Sequence, residues 1–225
     1  AYNRFSGNTA WCSYDFGQEG ASIEVYEGIR NLIHHNISIE DTTFSEIGGS
    51  DIRRAAENTY AMNVYVSTHE NSEFLVLRGA AGHFGPTPGT RVFNNSVYLS
   101  HPGETQGIVC YSGCGPDILE VRNNAIWVEW KGLYADAPFA ESNNLYWRGN
   151  GHPLLQFFGE GNAMDESSLI ADPLFRDVAG FDLRPAAGSP LIGAGVAVDV
   201  AFDRDAAGVV IDEAQGVDIG AYRRP

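Results

Sequence analysis

An asparagine-led motif recurs along the chain and restricts its fold more than any other feature. It is clearest in VFNNSVYL (92–99), VRNNAIWV (121–128) and SNNLYW (142–147), and HHNISI (34–39) and AMNVYV (61–66) fit the same frame. Taking Asn36, Asn63, Asn95, Asn124 and Asn144 as equivalent gives spacings of 27, 32, 29 and 20 residues. A second apolar segment follows each: Thr43–Ile47, Phe74–Leu77, Gly107–Tyr111, Gly132–Ala135 and Leu154–Phe158. These runs are β-branched and aromatic, alternate roughly, and lack helical periodicity. A unit repeating every 20–30 residues cannot bury its apolar face alone, so copies must stack, spaced about 4.7–4.9 Å apart if they pair as strands. Asn suits the turns because it tolerates left-handed backbone, and stacked Asn side chains hydrogen-bond along the stacking axis. The frame predicts an all-β solenoid of about five coils. An all-β sandwich, with the Asn pairs as plain surface turns, is the alternative.

The 225 residues suffice for one well-buried domain. The coils are expected over 1–164 and a capping or wrapping segment of the same domain over 165–225, where the Asn repeat stops. A formal charge of −15, with 14 basic against 29 acidic residues, argues against nucleic acid or anionic membranes as partners. No apolar run is long enough to span a bilayer. Cys110 and Cys114 flank a turn in CYSGC and permit a local disulfide, leaving Cys12 over. The chain starts without an evident cap, so further N-terminal coils of a longer chain, or another subunit, are expected to cover its open end.

Three long excursions, after Gly48, Arg78 and Tyr111, leave successive coils at one register. Insertions at one register of a solenoid stack on one face, often the binding face. This predicts a groove walled by those loops and floored by the strands carrying Glu24, Glu46 and Phe74–Arg78. Tyr98, Trp127 and Tyr146 or Trp147 share a register and form either core or, if outward, a stacking ladder for sugar rings. His34 and His35, as strand neighbours, are expected to point to opposite faces. DRDAAG (203–208) lacks the full ligand set of a calcium loop.

The tail carries a resemblance. ADPLF (171–175), FDLRPAAGSPLIGAG (181–195) and VDIGAY (217–222), with the coil pattern and GASIEVYEG…HHNISIEDTTFSEIGG (20–49), resemble secreted bacterial right-handed parallel β-helix proteins. That group includes polysaccharide lyases, uronan epimerases, glycoside hydrolases and uncharacterised surface proteins. The resemblance implies a right-handed parallel β-helix, secretion or cell-surface location, and a polysaccharide partner; the fold alone does not select an activity.

For lyase chemistry the residues beside the predicted groove are Arg78 and His83 as base or acid, with Arg53, Arg54 and Tyr111 as substrate clamps. Lys131, the only lysine, is expected on a plain coil away from the groove. A hydrolase wants two carboxylates, and Glu24 and Glu46 on adjacent coils supply them. Asp15 and Glu19 extend that set, which would also suit Ca²⁺, though the sequence defines no metal site and implies no certain cofactor. Besides catalysis, a non-catalytic carbohydrate-binding or adhesive module, or a structural solenoid subunit, fits the same sequence.

Overall fold

The computed structural model describes residues 1–13, 17–149, 154–157 and 164–224; for 11–13, 17–19, 154–157 and 213 it describes the backbone alone. The chain is an all-β parallel β-solenoid of about four turns, the five Asn rungs marking its successive coils. The one helical element among the described residues is a short 3₁₀ turn, Glu213–Gln215. Three stacked sheets form the walls. A lead-in sheet holds Leu32–His34, Thr59–Ala61, Thr90–Phe93, Leu119–Arg122 and Ala140–Ser142. A ladder sheet follows the asparagines, with Arg4–Ser6, Ile37–Ile39, Val64–Ser67, Ser96–Leu99, Ala125–Val128, Leu145–Trp147 and Leu169–Ile170. A third sheet, the carboxylate sheet, stacks Ala21–Val25, Thr43–Ile47, Glu73–Arg78, Gln106–Tyr111, Lys131–Ala135 and Leu154–Phe157. Loop 48–59 holds no helical turn; its Ala55–Ala56 pairs with Gly28–Ile29 instead.

Each corner between lead-in and ladder strands divides its work between two residues. The first is left-handed: φ is 53° at His35, 54° at Met62, 52° at Asn94, 58° at Asn123 and 53° at Asn143. The second is the ladder asparagine. Asn36 donates from Nδ2 to Asn63 Oδ1 at 2.9 Å, Asn63 to Asn95 at 3.0 Å, Asn95 to Asn124 at 2.8 Å and Asn124 to Asn144 at 2.9 Å. Each Oδ1 also accepts the backbone N–H of the preceding rung. Asn3 adds a further rung, 3.0 Å from Asn36, so the first residues complete part of a coil.

The core lies between the sheets. Phe44, Tyr60, Tyr65, Phe74, Leu75, Val97, Ile126 and Tyr146 point inward and are almost wholly buried. The opposite positions of the ladder sheet point outward, and the C-terminal segment covers them. Phe175, Leu183, Leu191, Ile219 and Ala221 pack on Val64, Val66, Ala125 and Leu145, with Tyr98, Trp127 and Trp147 at the margin. Trp127 stacks on Phe175 at 6.4 Å between centroids. The outward aromatics are therefore a docking surface for the tail, not a sugar platform; Tyr146 is core.

The tail returns along the left-handed corners. Asn143 Nδ2 donates to the carbonyl of Ala194, Asn123 Nδ2 to that of Val196, Asn94 Nδ2 to that of Asp218, and His35 Nε2 lies 2.8 Å from the Arg204 carbonyl. Asp205 and Asp218, both buried, accept backbone N–H groups within the tail, Asp205 from Ala207, Val209 and Arg223. The carboxylate of Asp205 in DRDAAG is thus occupied by turn hydrogen bonds.

The histidine pair departs from expectation. Because His35 is left-handed, strand alternation fails there, and His34 Nδ1 lies 2.8 Å from His35 Nδ1. Phe202 of the tail packs on both rings. His35 donates from Nε2 to the Arg204 carbonyl, so its neutral form accepts at Nδ1 and His34 donates. Both imidazoles are held below the usual range. Burial is the main cause for each; for His34 the His35 ring and the N-terminus add to it, and for His35 the Arg204 carbonyl and Asp205 oppose it.

Two outcomes are expected. Asn124→Ala strands partners on both sides of a buried rung and should cost about 3–5 kcal/mol in urea unfolding, whereas Asn143→Gly, which keeps the left-handed corner and deletes one tail clip, should cost about 1 kcal/mol. Histidines whose native pKa is depressed bind protons more readily unfolded, so their contribution is complete above the unfolded value of about 6.5 and is lost as pH falls. Relative to wild type, His35→Asn, the residue at three equivalent corners, should gain melting temperature at pH 5 compared with pH 7, because it removes the histidine part of the acid destabilisation.

Candidate functional site

A lateral groove of about 450 Å³ runs along the outer face of the carboxylate sheet, and no tail residue lines it. In a parallel sheet, residues at one register form a column one rung apart. Glu24, Glu46, Val76, Val109 and Tyr134 form the groove's central column. Glu24 and Glu46 are direct Cα partners on adjacent coils, as the sequence indicated. On one side of this column stand Arg78 and Tyr111, themselves in register. On the other side are Thr43, Glu73 and Gln106, with Asn71 and Glu104 from the preceding turns.

The three excursions do stack at one register. Gly49 N–H donates to the Phe84 carbonyl at 2.6 Å, Ala80 to Gly113 at 3.0 Å and Ala81 to Ser112 at 2.7 Å. Gly79 and Gly113 are required by this approach: a Cβ on Gly79 would fall 2.1 Å from the Gly113 carbonyl carbon. The Cys110–Cys114 disulfide is formed and buried at the base of the third loop, and Asp136 accepts from the N–H groups of Gly113 and Cys114. The loops buttress the sheet edge, but their side chains do not line the groove. His83 stacks edge-on against Phe84 and is exposed, as are Arg53 and Arg54. Of the residues singled out from the sequence, the structure brings together Glu24, Glu46, Arg78 and Tyr111; His83, Arg53 and Arg54 lie outside the lining. Asp15 and the side chain of Glu19 lie outside the described residues.

Arg78 is the pivot of the charged cluster. Its Nη2 lies 3.6 Å from Glu46 Oε1 and its guanidinium carbon 4.4 Å from the Tyr111 ring centroid. Tyr26 hydrogen-bonds Glu46, and its phenol is pushed well above the usual range, first by burial, then by the Glu46 charge, that hydrogen bond and Glu24; Arg78 opposes them. Glu73 accepts from Gln106 Nε2 at 2.6 Å. Burial pushes its carboxyl up to about 7, assisted by Glu46 and opposed by Arg78 and the Gln106 hydrogen bond. The cluster thus contains one carboxyl matched with a guanidinium and another that keeps its proton near neutrality. Such divergence marks acid–base assignments.

Glu73 was missed in the sequence because it heads its strand in EFLVLR, where a leading charge reads as a solvated strand end. Aligning the second strands exposes it: Thr43, Glu73, Gln106 and Lys131 form one column. That column also places Lys131. It pairs with Gln106 on the same strand as Tyr134, outside the groove lining but beside it, with Nζ 3.4 Å from the Trp130 and 4.1 Å from the Tyr134 ring centroid. Burial draws its ammonium below the usual range, against the pull of Glu104. Among the described residues no three His, Cys, Asp or Glu side chains converge to hold a metal ion, so the calcium considered from the sequence has no ready-made site there.

Comparison of the chain with protein-family models and with curated proteins finds no match.

The Glu73 assignment has a stability signature. A carboxyl whose native pKa is raised keeps its proton while the unfolded chain releases it, so it costs stability progressively as pH rises from about 4.5 to about 7. Glu73→Gln should therefore stabilise the protein at pH 8 and be close to neutral at pH 4. Arg78→Met, which removes the opposing charge, should move the carboxyl titration, followed by infrared absorbance, above its wild-type midpoint.

Proposed function

We propose that this chain is an extracellular carbohydrate-active protein that binds a polysaccharide along the lateral groove and hydrolyses it. The observation that carries the reading is the pairing of Glu73, a carboxyl protonated near neutral pH, with Glu46, a carboxylate held by Arg78, in the same open groove. Glycoside hydrolysis requires that combination: one carboxylic acid protonates the leaving oxygen, and one carboxylate activates water or attacks the anomeric carbon. Glu73 takes the first role and Glu46 the second, with Tyr111 and Tyr134 flanking the bound chain. The groove crosses five rungs, roughly 19 Å at strand spacing, which accommodates several sugar units. A buried disulfide suits an oxidising, extracytoplasmic setting, and the resemblance to secreted bacterial polysaccharide-processing β-helices supports the same location.

Lyase chemistry finds less support. It needs a cation to neutralise the substrate's uronate, and Arg78, the only Lys, Arg or His lining the groove among the described residues, is engaged by Glu46 and Tyr111. A non-catalytic binding module would use the same groove without turnover.

The test is a glycan panel assayed in parallel for new reducing ends and for ultraviolet absorbance of unsaturated products. Reducing ends without absorbance are expected, with turnover falling as pH rises through about 7 as Glu73 loses its proton. Glu73→Gln and Glu46→Gln should each lower kcat about a hundredfold or more. Unsaturated products would move the chemistry to elimination; binding without either product would leave a binding module.

A further inference from the structure

We infer that the groove selects a cationic glycan, a polymer whose sugars carry free amino groups. This rests on the glycan reading above and adds the charge of the substrate. Four consecutive rungs each contribute one carboxyl side chain to the lining, Glu24, Glu46, Glu73 and Glu104, of which Glu73 keeps its proton near neutrality and the other three supply the negative charge. Rungs repeat at about 4.8 Å, close to the length of one sugar, with Glu24 and Glu46 in the central column and Glu73 and Glu104 beside it. Against them the lining holds one cation, Arg78, already 3.6 Å from Glu46. Lys131 faces Glu104 from the next rung but does not line the groove. The walls are protein of low polarisability, which focuses the field of these acids, and the formal charge of −15 extends it outward.

A second observation is independent of the charges. Thr42 lines the groove between the Glu24 and Glu73 rungs, is 3 % exposed, and its hydroxyl has no hydrogen-bond partner. A buried hydroxyl without a partner is uncommon in a native fold. It leaves a polar group for a ligand to satisfy in the middle of the acidic stretch, where a sugar ammonium or hydroxyl would lie. A polyuronate meets the reverse situation, with its carboxylates set along a row of carboxylates, so the same residues that attract amino sugars exclude acidic ones.

The experiment is calorimetric binding at pH 6 to four oligosaccharides of matched length: β-linked glucosamine with free amines, its fully N-acetylated counterpart, a neutral glucan and a polyuronate; a linear aliphatic polyamine serves as control. The free-amine oligomer should bind at least about tenfold more tightly than the others, and weaken as salt rises from 20 to 200 mM. Glu24→Gln and Glu104→Gln should each weaken it severalfold without changing the melting temperature, and Thr42→Val should weaken it while leaving the salt dependence intact. Equal or tighter binding of the acetylated, neutral or acidic oligomer would overturn the inference and leave the glycan reading standing. Polyamine binding as tight as the amino sugar would show charge recognition without sugar recognition and would overturn both, as would no binding to any of the five.

Discussion

The asparagine ladder is the interaction on which the rest of this structure depends. A β-solenoid must turn a corner in every coil, and a corner exposes backbone N–H groups that no strand partner satisfies. Here each ladder asparagine spends one oxygen on two donors from the rung before, a backbone N–H and an amide. Its own amide then reaches the next oxygen and a lead-in carbonyl, as in Asn63 to Ile33. The side chain is a surrogate for strand pairing at the one place where strands cannot pair. Register follows from it. With the asparagines aligned, Tyr65, Val97 and Ile126 fall inside and Val66, Tyr98 and Trp127 outside without further instruction.

That alignment also decides what each wall of the solenoid is for. The outward ladder positions are apolar and would be a liability in water; the tail buries them. The outward positions of the carboxylate sheet are charged and aromatic, and nothing from the tail lies across them. The division of faces is therefore chemical before it is functional. Within the open face, burial and a single guanidinium create unlike neighbours out of like carboxyls. Glu46 stands beside Arg78, whereas Glu73 is drawn into the sheet and loses hydration that Gln106 replaces only in part. No metal is needed to produce that asymmetry.

The repeat was legible because the ladder is written in one residue type at one register, and the positions of Glu24 and Glu46 followed from counting strands. Arg78 and Tyr111 stand in one column beside them for the same reason. The failures have a common cause. His83, Arg53 and Arg54 sit in loops whose path depends on loop-to-loop hydrogen bonds such as Gly49 to Phe84, and no periodicity records which way their side chains face. Glu73 heads its strand, where a leading charge reads as a solvated end, and loops of unequal length hide its alignment with Thr43 and Gln106. The histidines were misjudged because strand alternation was applied to His35, a corner residue with φ of 53°. The different first residues of the motif carry a signal of their own: Asn94, Asn123 and Asn143 each clip a tail carbonyl, whereas Met62 carries no such group and instead lies against an apolar cleft under the tail.

The tail's return path changes how the molecule holds together under stress. An uncapped stack of coils is close to a one-dimensional system in which each unit feels only its neighbours, so it can fray from either end. The segment from Ala194 to Arg204 instead joins Asn143 and Asn123 to His35, spanning the stack with bonds between residues up to 169 apart in sequence. Coils at opposite ends become mutually dependent, and local opening at either end must also break the strap. The consequence is cooperativity in a geometry that does not by itself supply it.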